Sequence, residues 1–137
     1  MILQFSLDCV PIGKGRPRIT MRGGYPRMYA DPKTKAFEEE IAWAAKAAGA
    51  QPLELPCTVD VQAFFPIPCG WSKKKQKDAW EENMRHTSRP DADNLCKIAL
   101  DGLNGIAWKD DKQVYKIQVE KFYGSPPRLI ITIQYVS

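Results

Sequence analysis

The sequence predicts a single α+β domain in which a mixed β-sheet is covered by helices mainly on one face. Two observations lead to this fold class. Segments that alternate apolar and polar residues stand among segments with helical spacing, without an internal repeat or a linker. The length of 137 residues and the hydrophobic content of 44% suit one domain with its own core. We therefore treat residues 1–137 as one domain.

Four segments are expected to form strands. Residues 3, 5, 7 and 9 are apolar and polar residues separate them, a period of two that is typical of a strand with one buried face. A second strand is predicted over 57–65, where Pro66 ends it. Two more are predicted over 114–119 and 129–136, separated by a turn at residues 124–127.

Two long helices and one short helix are expected. Asp31-Pro32 is a typical helix entry, residues 34–48 are rich in Ala, Glu and Lys, and Gly49 is a typical stop signal. Residues 93–103 place apolar side chains on one helical face and charged side chains on the other. A shorter helix is predicted over 73–85, with Ser72 as its cap.

The cations are concentrated in the Gly/Pro/Arg-rich segment that follows the first strand. The chain has 20 Lys+Arg and 16 Asp+Glu, a net charge of +4, but residues 12–35 alone carry +6. Residues 13–27 are predicted to form a loop or a short irregular hairpin. Arginine forks pair with phosphate oxygens, and Tyr25 and Tyr29 could stack on bases, although a solvated surface loop would also explain the pattern. The seven cations are Lys14, Arg16, Arg18, Arg22, Arg27, Lys33 and Lys35.

The opposite charge is concentrated between residues 91 and 111, which sum to −3. Asp91 and Asp93 lie two residues apart, where a loop is predicted to enter a helix, so their side chains can converge on one ion. Carboxylates and a phosphate substrate provide the hard oxygen ligands that Mg²⁺ prefers. A third carboxylate could come from Asp110 or Asp111, and Lys97 follows Asp93 by one helical turn. Helix caps, a turn and an exposed ion pair would also account for these residues, taken singly.

Other classes of site find little support. The cysteines form no CxxC pair and His86 is the only histidine, so we expect no zinc site and no Ser-His-Asp enzyme. The N-terminus does not resemble a signal peptide, and no apolar stretch reaches the roughly 20 residues that cross a bilayer. A cytoplasmic protein without a membrane partner is expected.

The ordered string of residues between 89 and 114 is more specific than its parts. It contains D-x-D-N-L-x-K at residues 91–97, then an Asp-x-Leu at 101–103, then D-D-x-Q-V at 110–114. This string resembles the RusA family of Holliday junction resolvases, in its phage or prophage type. The resemblance implies an α+β fold, Mg²⁺ dependence with Mn²⁺ as a substitute, a homodimer, and symmetric nicking of four-way junction DNA in recombination and repair.

The resemblance also implies roles for individual residues. Asp91, Asp93 and Asp111 match the metal-binding aspartates, and Lys97 matches the catalytic-site lysine. Asp110 corresponds to a neighbouring aspartate of less defined role, and Asn94 is expected to help orient the ligand cluster. Pro90 is a departure, because some relatives carry arginines there. The expected DNA contacts are therefore Lys14, Arg16, Arg18, Arg22, Arg27 and Arg89.

Two functions remain as alternatives to a junction-resolving nuclease. One is a basic DNA-binding protein without catalytic activity, in which the aspartates are caps. The other is a metal-dependent phosphohydrolase that acts on small nucleotides, although such an enzyme has little use for the basic loop. For the homodimer, an exposed apolar surface is expected on the last strand or at residues 106–108.

Overall fold

The computed structural model describes residues 1–136 and contains a four-stranded mixed sheet, a separate two-stranded hairpin and three α-helices. The α+β fold class is confirmed. In chain order the elements are β1 (Ile2–Leu7), β2 (Arg18–Thr20), β3 (Arg27–Tyr29), α1 (Pro32–Ala47), β4 (Cys57–Phe65), α2 (Lys73–Trp80), α3 (Ala92–Leu103), β5 (Val114–Tyr123) and β6 (Arg128–Tyr135).

The strand order of the larger sheet is β1-β6-β4-β5. Strands β4 and β5 are parallel, and the other neighbours are antiparallel. A parallel pair needs a long crossover, which residues 66–113 supply together with α2 and α3. This crossover brings the acidic segment to one end of the sheet.

One face of the sheet carries the core. In β4 every second residue is buried, and the matching residues of β6 lie beside them. Helices α1 and α3 pack closely together at Gly102. A β-carbon at this position would lie only 3.1 Å from the Ile41 β-carbon, so glycine permits the close approach. The most enclosed side chains of this core include Ile41, Val59, Val61, Leu95, Ile98, Leu103, Ile131 and Ile133.

Most predicted element bounds hold within a few residues. The strand over 57–65 is confirmed as β4, and the helix over 93–103 begins one residue earlier in α3. The helix entry at Asp31-Pro32 is confirmed, because α1 begins at Pro32 with Asp31 as its N-cap. Strand β5 extends past residue 119, since its pairing with β4 continues to Tyr123.

The helix predicted over 73–85 is wrong beyond Trp80, where α2 ends. Glu82 has a φ of 64°, in the left-handed region that a continuing helix cannot use. The Asn83 amide closes this turn by donating to the Asp78 carbonyl at 2.9 Å. The chain then runs beside β5 toward the acidic segment.

The expected dimer surface at residues 106–108 is also wrong, because Ala107 and Trp108 are fully buried. Strand β6 lies inside the sheet between β1 and β4, so both of its edges are already paired. Only the uncovered face of β6 could contribute to an interface.

No helix in residues 1–136 is long and apolar enough to span a bilayer. The longest, α1, has 16 residues and carries charged side chains along its exposed side.

His86 packs against the edge of the core and makes it sensitive to acid. Its ring stacks on Phe65 at a centroid distance of 3.8 Å and meets the edge of Tyr123 at 5.2 Å. Within residues 1–136 its buried Nδ1 has no hydrogen-bond partner. Burial, aided by the charge of Lys121, lowers the pKa of His86 from 6.5 to about 4.

We expect His86→Phe to reduce the acid sensitivity of folding. The unfolded imidazole takes up a proton near pH 6.5 and the folded one only near pH 4, so stability falls as pH falls through that window. After allowance for solvent, this contribution is about 1–2 kcal/mol. Phenylalanine keeps the stacking and does not titrate. Denaturant unfolding at pH 7 and pH 4.5 should therefore show a smaller loss in the variant, and an equal loss in both proteins would contradict the assignment.

Candidate active site

A stripe of three charged residues runs along the exposed side of α3. Asp93, Lys97 and Asp101 are each four residues apart, so they share one helical face, and we call them the α3 stripe. Lys97 Nζ lies 3.7 Å from Asp93 Oδ2, and both side chains are exposed. The stripe therefore presents two carboxylates and an ammonium group to solvent.

Asp91 occupies the N-cap position of α3 with extended backbone, but its side chain makes no capping hydrogen bond. The simple explanation of Asp91 as a side-chain cap is therefore wrong. Its backbone carbonyl accepts a hydrogen bond from the Leu95 amide at 3.1 Å, and this bond fixes the start of the helix. The exposed carboxylate is left for another partner.

Asp111 is held by the core. The indole Nε1 of the fully buried Trp108 donates to Asp111 Oδ1 at 2.8 Å. Burial raises the pKa of Asp111, and the charges of Asp101 and Asp110 raise it further, while the bond from Trp108 acts in the opposite direction. Asp111 therefore lies close enough to Asp101, the last member of the α3 stripe, for the two negative charges to repel each other.

The D-D-x-Q-V motif has a structural explanation. Asp110 caps the short 3₁₀ turn Asp111–Gln113 by accepting from the Lys112 amide at 3.0 Å. Gln113 Oε1 accepts from the amides of Lys109 and Asp110, each at 3.0 Å. Its Nε2 donates to the carbonyls of residues 53 and 55. Asp110 and Gln113 thus build the turn that presents Asp111 immediately before β5.

A groove of about 730 Å³ lies at the N-terminal end of α3. Residues of both the basic segment and the acidic segment line this groove. The sequence showed that the two segments carry opposite charge but not that they lie side by side. Arg16, Arg89 and Asp91 line the groove. Gly13, Lys14 and Asn94 form much of the remaining wall.

Gly13 allows the basic segment to approach α3. A β-carbon at Gly13 would lie 2.8 Å from the β-carbon of Pro90 and 2.9 Å from that of Asn94, closer than side chains tolerate. The next amide, Lys14 N, donates to the Asn94 carbonyl at 3.0 Å. Any larger residue at position 13 would push this segment away from the groove.

The ammonium group of Lys14 is already engaged. It pairs with Glu38 of α1 and lies 2.9 Å from Asp101 Oδ2 of α3. Burial alone would lower the pKa of Lys14, but the hydrogen bonds and charges of these two carboxylates raise it above its usual value. Lys14 therefore joins the basic segment to both helices, and its expected contact with DNA stays a prediction.

The remaining expected DNA contacts fall into two groups. Arg18 pairs with Asp31 at 2.7 Å. The other four are exposed arginines, and within residues 1–136 no carboxylate lies within ion-pair distance of them. These four are Arg16, Arg22, Arg27 and Arg89.

The three expected metal ligands are not gathered into one cluster. Within residues 1–136, no group of three Asp, Glu, His or Cys side chains is placed to hold an ion. Asp91 stands at the N-terminal end of α3, whereas the neighbour of Asp111 is Asp101, about 15 Å further along the helix axis. The joint role of Asp91, Asp93 and Asp111 therefore stays a prediction.

Sequence reasoning did not find Lys121. It lies in β5 opposite Ala63, on the core face of the sheet, and its Nζ donates to the Ser88 carbonyl at 2.6 Å. Burial lowers the pKa of Lys121, while the charge of Asp91 opposes this effect. Lys121 thus fastens the segment that leads to Asp91. The sequence signal that could have identified Lys121 is its position on the same strand face as the apolar residues Ile117 and Val119, where a charged side chain is unexpected.

Comparison with known proteins decides the family. The sequence profile described as Endodeoxyribonuclease RusA matches residues 8–134. The chain belongs to the RusA endodeoxyribonuclease family. A protein of Bacillus subtilis (strain 168) named Uncharacterized protein YqaN is 35% identical over 138 residues, which cover 98% of this chain and 97% of that protein. RusA membership makes the chain a DNA endonuclease, a hydrolase of phosphodiester bonds. The groove is the part of this RusA chain where an expected metal ligand, Asp91, and two expected DNA contacts, Arg16 and Arg89, line one space.

Proposed function

We propose that the protein is a Mg²⁺-dependent endonuclease that resolves four-way DNA junctions by paired symmetric nicks, in recombination and repair. The observation that supports this best is the shared groove. Asp91, whose side chain makes no capping bond, lines the same groove as Arg16 and Arg89. Anionic and cationic groups in one groove suit a phosphate bound together with a divalent cation.

The residues fit a magnesium ion with few protein ligands. Mg²⁺ is commonly bound through one or two carboxylates, several waters and a substrate phosphate. Asp91 has no capping bond, and Asp93 is exposed one turn below Lys97, so both can serve as ligands. Asp111 is proposed as the third ligand; because its neighbour Asp101 lies about 15 Å along α3 from Asp91, ion and DNA binding must bring Asp111 closer to Asp91 and Asp93. When bound, Mg²⁺ or Mn²⁺ polarises the phosphoryl oxygen and activates a water.

The chain's own residues then have separate tasks. Lys97, whose Nζ lies 3.7 Å from Asp93 Oδ2, stabilises the negative charge that develops on the phosphate during hydrolysis. Arg16 and Arg89, which line the groove, bind phosphates of the cleaved strand and hold it there. Hydrolysis leaves a 5′-phosphate and a 3′-hydroxyl, ends that a ligase can join.

Resolution of a junction needs two cuts in strands related by its two-fold axis. Each chain carries one α3 stripe and one groove. A symmetric homodimer supplies two sites with the required relation. We therefore include a homodimer in the proposal.

One assay tests the proposal against both alternatives. The protein is incubated with a synthetic four-way junction, a linear duplex or nucleoside triphosphates, with Mg²⁺ or with a chelator. We expect paired nicks in the junction only with Mg²⁺, in strands of like polarity. Junction binding without cleavage would instead favour the non-catalytic DNA-binding protein. Release of phosphate from nucleotides, with intact DNA, would favour the small-nucleotide phosphohydrolase.

A further inference from the structure

The β2–β3 hairpin exposes apolar side chains that nothing in the proposed cleavage reaction uses. Ile19 and Met28 are direct cross-strand partners, so they share one face of the hairpin, and they are 67% and 70% exposed. At the tip, Met21 and Tyr25 are 64% and 70% exposed. Exposed large apolar residues concentrated on one short element indicate a binding surface rather than a folding requirement.

The base of the hairpin is fixed to the body of the protein. Arg18 Nε and Nη2 reach Asp31 Oδ1 at 2.8 and 2.7 Å. Asp31 also caps α1 by accepting from the Thr34 amide. The Gly15 amide donates to Thr34 Oγ1 at 2.8 Å, an approach that a side chain at Gly15 would block. The hairpin therefore projects from α1 at a defined place.

The fixed base also places the hairpin beside the groove. Arg16 lines the groove and is only two residues from the start of β2. A DNA strand held in the groove by Arg16 would therefore continue toward the hairpin.

The positive charge of the hairpin indicates what kind of partner can bind to it. No acidic residue occurs between positions 14 and 30, while Arg22 and Arg27 carry exposed cations on the tip and on β3. A partner must therefore offer anionic groups and apolar surface close together. Phosphates next to unstacked bases meet both requirements, whereas a second copy of this cationic hairpin would repel the first.

We propose that the apolar side chains of the hairpin insert against unstacked bases at the branch point of a four-way junction. This inference rests on the proposed function and adds to it the element that selects junctions over duplexes. In a duplex the base faces are stacked and hidden, whereas a branch point can expose them. Apolar wedges of Ile, Met and similar residues are a recurrent means of separating base steps.

The test uses a junction with 2-aminopurine at the branch point, whose fluorescence rises when the base unstacks. A linear duplex with the same label is the second probe, and binding is followed in chelator so that no cleavage occurs. We expect the unaltered protein to raise the fluorescence of the junction and not that of the duplex. The double variant Met21→Ser with Tyr25→Ser should abolish most of this rise and weaken junction binding about tenfold.

Two controls make the result specific. Trp43→Ser removes a side chain that is 74% exposed on α1 and belongs to no proposed binding surface, so it should leave the signal unchanged. Unfolding curves of the variants should match that of the unaltered protein. A second pair, Ile19→Ser with Met28→Ser, tests the strand face separately from the tip and should reduce the signal in the same way.

The outcomes separate this inference from the function on which it rests. Absence of junction cleavage by the unaltered protein with Mg²⁺ would remove the proposed function. Normal junction cleavage without a fluorescence rise, or a full rise in both hairpin variants, would overturn the hairpin inference alone. A change of sedimentation from dimer to monomer in the hairpin variants would also overturn it, because the apolar face would then contact a second copy.

Discussion

Replacement of Asp93 by Asn is expected to reduce Mg²⁺-dependent junction cleavage by about 10²–10³-fold or more, with little loss of junction binding. The substitution keeps the size and shape of the side chain and removes its negative charge. Asp93 is exposed in the first turn of α3, so its loss leaves no cavity in the core. Asp91→Asn should behave in the same way, because the Asp91 side chain makes no capping bond that stabilises the helix.

The measurement separates binding from chemistry. Single-turnover cleavage is followed at saturating protein with Mg²⁺, and binding is measured independently in chelator. Asp78→Asn is a matched control, since this carboxylate lies on α2 outside the groove and the α3 stripe. Cleavage at the unaltered rate by Asp91→Asn or Asp93→Asn would place the metal elsewhere. A loss of binding equal to the loss of cleavage would give these residues a structural role instead.

The structure also explains how a chain of low net charge can hold two strongly charged regions together. The basic segment and the acidic segment are far apart in sequence, yet Lys14 lies against both helices. Its ammonium group neutralises part of the charge of Glu38 and Asp101. This pairing leaves Arg16 and Arg89 in the groove, where no carboxylate within ion-pair distance competes with a phosphate among residues 1–136.

Local sequence patterns were sufficient to predict the elements in which buried and exposed positions alternate with a single period. The strand β4 was predictable because apolar and polar residues alternate over 57–63 and Pro66 follows its end. The helix α3 was predictable because one face is apolar and the other charged. The contacts that build the site join residues far apart in the sequence, so no local pattern predicts them. The approach of Gly13 to Asn94 and the bond from Lys121 to Ser88 join segments 81 and 33 residues apart.

Sequence patterns predicted which residues form the candidate site, but they did not predict how those residues are arranged in space. Asp91, Asp93 and Lys97 do share the N-terminal half of α3. Asp111 lies by Asp101, a position set by the buried Trp108 rather than by any charge pattern. A motif can indicate which carboxylates matter, but core packing decides where each one points.

Trp108 is the residue through which we expect core packing to control Asp111. Its side chain is fully buried and donates to Asp111 Oδ1 at 2.8 Å. The adjoining Ala107 carbonyl accepts from the buried hydroxyl of Tyr135 at 2.7 Å, so the segment is tied to β6. Trp108→Ala should lower the free energy of unfolding by about 3–5 kcal/mol. At fixed protein concentration, urea unfolding measures this loss.

Trp108→Phe separates packing from orientation. Phenylalanine fills most of the space but cannot donate to Asp111, so the free energy of unfolding should fall by only about 1–3 kcal/mol. If Asp111 is the third metal ligand, cleavage should fall further than stability or junction binding, because the carboxylate loses the bond that holds it. Trp43→Phe, an exposed position on α1, is the matched control. Unchanged cleavage by Trp108→Phe at a temperature where it is fully folded would contradict a positioning role, and Asp111→Asn would then show whether this carboxylate is needed at all.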